Sequence, residues 1–340
     1  MRFLLGVPVA IALGTSAGPS YKETMKILVT GSTGLVGTAL VSALARDGHA
    51  VCRLLRPQST IQRESAPEKS PHVLDVPWNP ATGELGGAAE GADAVVNLAG
   101  ASIAGGRWTE GRKALLRTSR IDTTRALVEA LAKMKARPRV LISSSAIGIY
   151  GDRGDELLTE DSQPGADFLS GLALAWEAEA LKAEALGIRV VLARFGIILA
   201  AHGGALAKML LPFKLGAGGR LGSGRQWMSW VTLDDVVGSL RFALGSAPAG
   251  DAINVASLRG AMNIVAPQPV PNSEFTKLLA QALHRPALFP APSFALRLAL
   301  GEMADALLLS SQRVAPQVLE KSGYSFLHPD LANALVKVLQ

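Results

Sequence analysis

The chain has 340 residues, 49% of them hydrophobic, a formal net charge of +6 and a pI near 9.6. That is enough apolar material for one large domain or two. The lone Cys52 excludes an internal disulfide and a cysteine metal cluster, and the five His show no ligand spacing, so no metal site is expected. Lys and Arg are scattered, without a basic run or interleaved aromatics, and no nucleic-acid partner is expected.

Residues 1–24 stand apart: Arg2, an apolar run over 3–14, then small residues. This has the shape of a signal peptide, yet is too short to span a bilayer as a helix. Met25 can serve as a start of its own, so 1–24 reads as an N-terminal extension or signal-like segment. Residues 27–30 read as a short buried strand, followed by Gly31, Gly34 and Gly37 at a spacing of three and by a helix over 38–46. Strand, glycine turn and helix together make a dinucleotide-binding fingerprint. Gly31 permits the turn, Gly34 lets a pyrophosphate approach the backbone, and Gly37 lets helix pack on strand. The helix N-terminus offers free N–H groups to the phosphates.

A second strand over 50–55 ends in Arg53-Leu54-Leu55-Arg56. The acid that would hold ribose hydroxyls in an NAD site is missing there. Arg56, with Arg53, instead suits the 2′-phosphate of NADP. After a polar loop over 57–71 come strands over 72–76 and 94–98, a mostly helical stretch over 109–134, a strand over 139–143, a helix over 167–186 and a strand over 188–193. Short apolar strands between helices predict a parallel sheet covered on both faces. Past Arg194 the rhythm changes to Gly-rich loops and short helices, including 233–244 and 273–284. The expected fold is α/β: a Rossmann-like doubly wound parallel sheet over 25–200, with a smaller C-terminal substrate lobe and extension over 201–340, partly interleaved with it. No membrane span is expected, the location is expected to be cytoplasmic, and the oligomeric state is left open.

Linked motifs continue through the chain. They are Val96 to Ala101 with Arg107-Trp108-Thr109; Ser119-Arg120; Ser143 to Gly151; Trp176-Glu177; Arg194 to Leu199; and Gly222 to Gln226 with Trp230 and Asp234-Asp235. Later come 263–270, His284-Arg285-Pro286, Gly301-Glu302, Gln312 to Pro316 and Gly323 to Phe326. Together these motifs resemble the extended short-chain dehydrogenase/reductases. More narrowly, they resemble the atypical, epimerase-family branch that carries a C-terminal extension domain. Residues 251–259 look like an insertion relative to it. The resemblance implies an NADP-binding domain with cofactor contacts from Gly31, Ser32, Thr33, Gly34, Leu35, Val36, Gly37, Arg53, Arg56, Leu98, Ala99, Gly100, Arg194 and Gly196. It does not give a substrate.

In the parent superfamily a Tyr is the acid/base, a Lys four residues later lowers its pKa, and a Ser or Thr orients the substrate oxygen. Ser144 and Ser145 supply the hydroxyls, but Leu169 and Ala173 stand where the Tyr and Lys would be expected. Tyr150 is the candidate replacement, against a role in packing the turn before Gly151. Asp234 is expected to cap a helix. Arg107, Arg225, Gln226 and Trp230 are candidate contacts to a small-molecule substrate. The function expected is an NADP-dependent oxidoreductase or epimerase on a small hydroxylated or nucleotide-linked substrate. The alternative is a weakly catalytic NADP(H)-sensing protein.

Overall fold

The computed structural model describes residues 24–56, 70–246 and 257–340. The N-terminal segment up to residue 23, most of the 57–71 loop and most of the 251–259 insertion lie outside the described residues.

The strands in chain order are β1 (Lys26–Thr30), β2 (Ala50–Leu55), β3 (Val73–Asn79), β4 (Glu84–Leu85), β5 (Ala94–Asn97), β6 (Val140–Ala146) and β7 (Leu157–Leu158). They continue as β8 (Arg189–Phe195), β9 (Ile197–Ala200), β10 (Trp227–Met228), β11 (Trp230–Thr232), β12 (Gly260–Ile264), β13 (Val270–Pro271) and β14 (Arg313–Val314). The helices are α1 (Leu35–Arg46), α2 (Glu110–Arg117), α3 (Thr123–Ala132), α4 (Phe168–Leu181), α5 (Gly204–Lys214) and α6 (Leu233–Leu244). After them come α7 (Asn272–Ala282), α8 (Ser293–Leu300), α9 (Glu302–Ala304), α10 (Gln317–Lys321) and α11 (Leu331–Leu339).

Eight strands form one sheet in the order β12-β8-β6-β5-β1-β2-β3-β4, parallel throughout except for the β3–β4 hairpin. Chain order reverses between β1 and β5, since β2 lies on one side of β1 and β5 on the other. The crevice at such a switch point, outside the carboxyl ends of the strands, is where ligands bind in open α/β sheets. Both faces are covered, which is why most of β5 and β1 and the first half of β6 are buried apolar runs rather than alternating ones. One face packs under α1 and α6, through Leu40, Leu44, Val236 and Leu240. The other packs under α3 and the end of α4, through Leu127, Leu131 and Ala180.

The remaining elements build a second core from α5, α7, α11, β9 and β11. Between α6 and α7 the chain returns as β12 to the edge of the main sheet beside β8. The two lobes therefore share a strand-level seam.

Two local expectations are corrected. Helix α1 begins at Leu35, three residues before the predicted start, because Gly34 sits at its N-cap in an extended conformation. Asp234 is not the cap of α6. Thr232 holds that role, its hydroxyl accepting from the Asp235 N–H at 3.1 Å, while Asp234 is exposed. Asp235 is fully buried and fastens the C-terminal segment: its carboxylate accepts from the N–H groups of Leu327 (2.7 Å) and His328 (3.0 Å) and from the Thr232 hydroxyl (2.8 Å).

Candidate functional site

A cleft of about 540 Å³ opens over the switch point. Its floor is the turn after β1. Gly31 has φ +62° and lies so close to Leu98 that an added Cβ would fall 2.4 Å from that carbonyl oxygen. At Gly37 a Cβ would fall 2.2 Å from the Gly31 carbonyl. Only glycine fits at either position. Gly34 differs, because the nearest atom to an added Cβ is 3.4 Å away and its open side faces the cleft. Ser32 is buried and its hydroxyl has no partner within the protein. An orphaned hydroxyl beside a bare turn and a helix N-terminus is the donor set a pyrophosphate fills. The residues present therefore fit a dinucleotide. Leu35, Val36, Leu98, Ala99, Gly100 and Gly196 also line the cleft.

Buried hydrogen bonds fix the strand ends around it. Thr30 Oγ1 donates to Asn97 Oδ1 at 2.7 Å, and Asn97 Nδ2 donates to Thr124 Oγ1 at 2.9 Å and to Ser143 Oγ at 3.2 Å. Trp176 Nε1 donates to the same Thr124 oxygen at 3.0 Å. Ser144 Oγ donates to the Asn97 carbonyl at 2.8 Å, and Ser145 Oγ to Glu177 Oε1 at 2.6 Å. Both serines line the cleft. Opposite them α4 presents Leu169, Leu172, Ala173 and Trp176. The positions expected for an acid/base Tyr and its Lys therefore face the cleft, and both are apolar.

Several predicted site residues lie elsewhere. Tyr150 is fully buried beneath the cleft, its hydroxyl donating to Asn263 Oδ1 at 2.7 Å and accepting from Arg194 Nη1 at 2.9 Å. Burial raises its pKa above the ordinary phenol value despite the neighbouring Arg194 charge. The catalytic expectation for Tyr150 is corrected to a structural one. Arg194 is also buried and does not line the cleft. It grips Glu177 with two parallel bonds, Nε to Oε1 at 2.8 Å and Nη2 to Oε2 at 2.9 Å. Burial pulls its pKa down, but the hydrogen bonds and charge of Glu177 outweigh this and hold the guanidinium above its usual value. Its expected cofactor contact is replaced by this internal clamp.

Trp230 is fully buried in the second core, its Nε1 donating to the Gln268 carbonyl at 2.9 Å, and it does not line this cleft. Arg225 is exposed on its loop, and Arg107 is exposed beside Gly301 on the wall of a separate apolar cavity. Of the four expected substrate contacts, Gln226 alone lines the cleft, with Nε2 donating to the carbonyls of Leu221 and Leu308. Arg53 is buried against Asp75, Nε to Oδ1 at 2.6 Å, while Arg56 is exposed at the end of β2. Thr33 belongs to the glycine turn but does not line the cleft.

Arg120 lines the cleft and was not among the predicted site residues. It stands in a π turn, Thr118–Asp122, between α2 and α3. Its neighbours at three and four residues are Leu116, Arg117, Thr123 and Thr124, none of them acidic. That absence was the signal available in the sequence.

Among the described residues no helix is long and apolar enough to cross a membrane, and no group of three His, Cys, Asp or Glu is placed to hold a metal. Residues 27–256 match the model of the NAD dependent epimerase/dehydratase family, and residues 291–338 match a domain of unknown function, DUF1731. The chain is 41% identical over 310 residues to epimerase family protein Mb2239 of Mycobacterium bovis, covering 91% of this chain and 96% of that protein. It is 39% identical over 328 residues to epimerase family protein YfhF of Bacillus subtilis, covering 93% and 98%. Among solved structures, human epimerase family protein SDR39U1 (isoform 2) with NADPH superposes with a TM-score of 0.77 at 32% identity, covering 92% of this chain and 99% of that one.

Proposed function

Since the chain belongs to the NAD dependent epimerase/dehydratase family, we propose that it binds NADP(H) over Gly34 and acts on a small hydroxylated or nucleotide-linked substrate as an oxidoreductase or epimerase. The NADP-binding part is assigned to 25–200, the substrate lobe and extension to 201–340, and the location to the cytoplasm. The cofactor, when bound, supplies hydride chemistry. Ser32 and the free N–H groups at the start of α1 hold its pyrophosphate, and Arg56 meets its 2′-phosphate. The human relative crystallised with NADPH supports this choice.

One observation carries the rest: Leu169 and Ala173 line the cleft across from Ser144 and Ser145. Neither can move a proton. Ser144 and Ser145 position a substrate oxygen, and no relay of the Tyr–Lys kind completes the set. Loss of a positioned acid/base costs about 10² to 10⁴ in rate, so turnover on carbonyl substrates is slow. The same observation favours a second reading, in which the protein senses NADP(H) with little turnover. The deciding experiment measures NADPH and NADH affinity by fluorescence, then NADPH oxidation against a carbonyl and nucleotide-sugar panel. Slow turnover supports the enzyme, and tight NADPH binding without turnover supports the sensor. Equal affinity for the two cofactors overturns the NADP assignment.

A further inference from the structure

We propose that Arg120 is the anion receptor of the cleft, and that the second ligand carries a carboxylate or phosphate held against this guanidinium; the inference rests on the cofactor reading above. The side chain lies across the face of Trp176, Cζ 5.2 Å from the ring centroid. Nη2 donates to the Ala101 carbonyl at 3.0 Å and Nη1 to the Leu116 carbonyl at 3.3 Å. Both partners are neutral oxygens. Nearby, Arg112 donates to the Ser102 carbonyl, and its Nε is buried without a partner. Among the described residues neither guanidinium has a carboxylate in ion-pair reach. Two cations thus grip one loop with no counter-charge. Burial and the Arg112 charge pull the Arg120 pKa down to about 10. A partly desolvated cation with unused N–H groups is costly unless an anion completes it. The π turn that carries Arg120 is a rare element, frequent at functional sites.

Position points to the second ligand rather than the cofactor. The pyrophosphate belongs at the N-terminus of α1 and the 2′-phosphate at the end of β2. Arg120 stacks instead on Trp176, which follows Leu172 and Ala173 on the same face of α4. That is the face where the reacting atoms would lie. A guanidinium fork recognises carboxylate or phosphate bidentately, which an ammonium does not.

The test uses NADPH-loaded protein titrated with malonate and, separately, with inorganic phosphate, following nicotinamide fluorescence. The wild type responds saturably to at least one of them. Arg120→Gln weakens that response about tenfold or more, and Arg120→Lys falls between, because it keeps the charge but not the fork. NADPH affinity stays at the wild-type value in both variants, and thermal midpoints report that both fold. An equal anion response in Arg120→Gln, or none in NADPH-loaded wild type, overturns the proposal. Loss of NADPH affinity in both folded variants would assign Arg120 to the cofactor phosphates and also overturn it. A wild type that fails to bind NADPH at all defeats the cofactor reading together with it.

Discussion

Replacing Glu177 by Leu tests the clamp beneath the cleft. Glu177 and Arg194 are nearly buried, with side-chain exposures of 7% and 10%, and are joined by two bonds of 2.8 and 2.9 Å. Removing the carboxylate leaves Arg194 with the Tyr150 hydroxyl and the Glu160 carbonyl, neither of them charged. Breaking one side of a buried pair costs about 3–5 kcal/mol, mostly the uncompensated charge left behind. At roughly 2–4 °C per kcal/mol for a chain of this size class, the thermal midpoint falls by about 6–20 °C. Removing both partners, as Glu177→Leu with Arg194→Met, costs less than Glu177→Leu alone, since no charge is stranded. Urea unfolding of wild type, both single variants and the double variant completes the cycle. A cost below about 1 kcal/mol for Glu177→Leu, or a double variant equal to the sum of the singles, would refute the reasoning.

Glu160 gives a pH signature. Burial raises its pKa above the usual carboxylate value, against N–H donations from Asn263 and Val318 that lower it, and its second oxygen is buried without a partner. The folded state therefore holds this proton more tightly than the unfolded chain. The stability it contributes is full at acid pH and is lost as pH rises through the raised pKa. The difference in urea midpoint between wild type and Glu160→Gln should shift against the wild type over that rise, and a pH-independent difference would sink the assignment. Arg56→Ala should lower NADPH affinity about ten- to a hundredfold and leave NADH affinity unchanged, as measured by fluorescence titration. Gly34→Val should fold yet lose its thermal stabilisation by NADPH, because the new side chain fills the open side of the turn. Tyr150→Phe should cost about 1–3 kcal/mol in urea unfolding with NADPH affinity untouched; a changed affinity would return Tyr150 to the site.

What the sequence made legible was local. The strand, glycine turn and helix around Gly31, Gly34 and Gly37 are fixed by backbone conformation and by neighbours within a few residues. The apolar strands announced a sheet buried on both faces. Tyr150 was misread because its partners, Asn263 and Arg194, lie 113 and 44 residues away in sequence. Arg53 was misread in part for the same reason, since Asp75 meets it only through the register of β2 with β3. Trp230 follows a Gly-rich loop, and nothing nearby in sequence signals that its ring completes the second core. Arg120 was picked out in sequence as part of a motif with Ser119 but given no site role, because a lone cation carries no mark of its function unless the missing acid around it is looked for.

The Asp235 anchor has a consequence for the order in which the chain is made. Its carboxylate is buried, and the Leu327 N–H that satisfies it lies 92 residues downstream. At about 5–20 residues per second, synthesis delivers that donor roughly 5–20 s after Asp235 itself emerges. Until then α6 carries a carboxylate that only water and Thr232 can satisfy, and the main sheet waits at that face. A ribosome stalled short of Tyr324 would hold a nascent chain whose cofactor lobe is synthesised in full but not sealed.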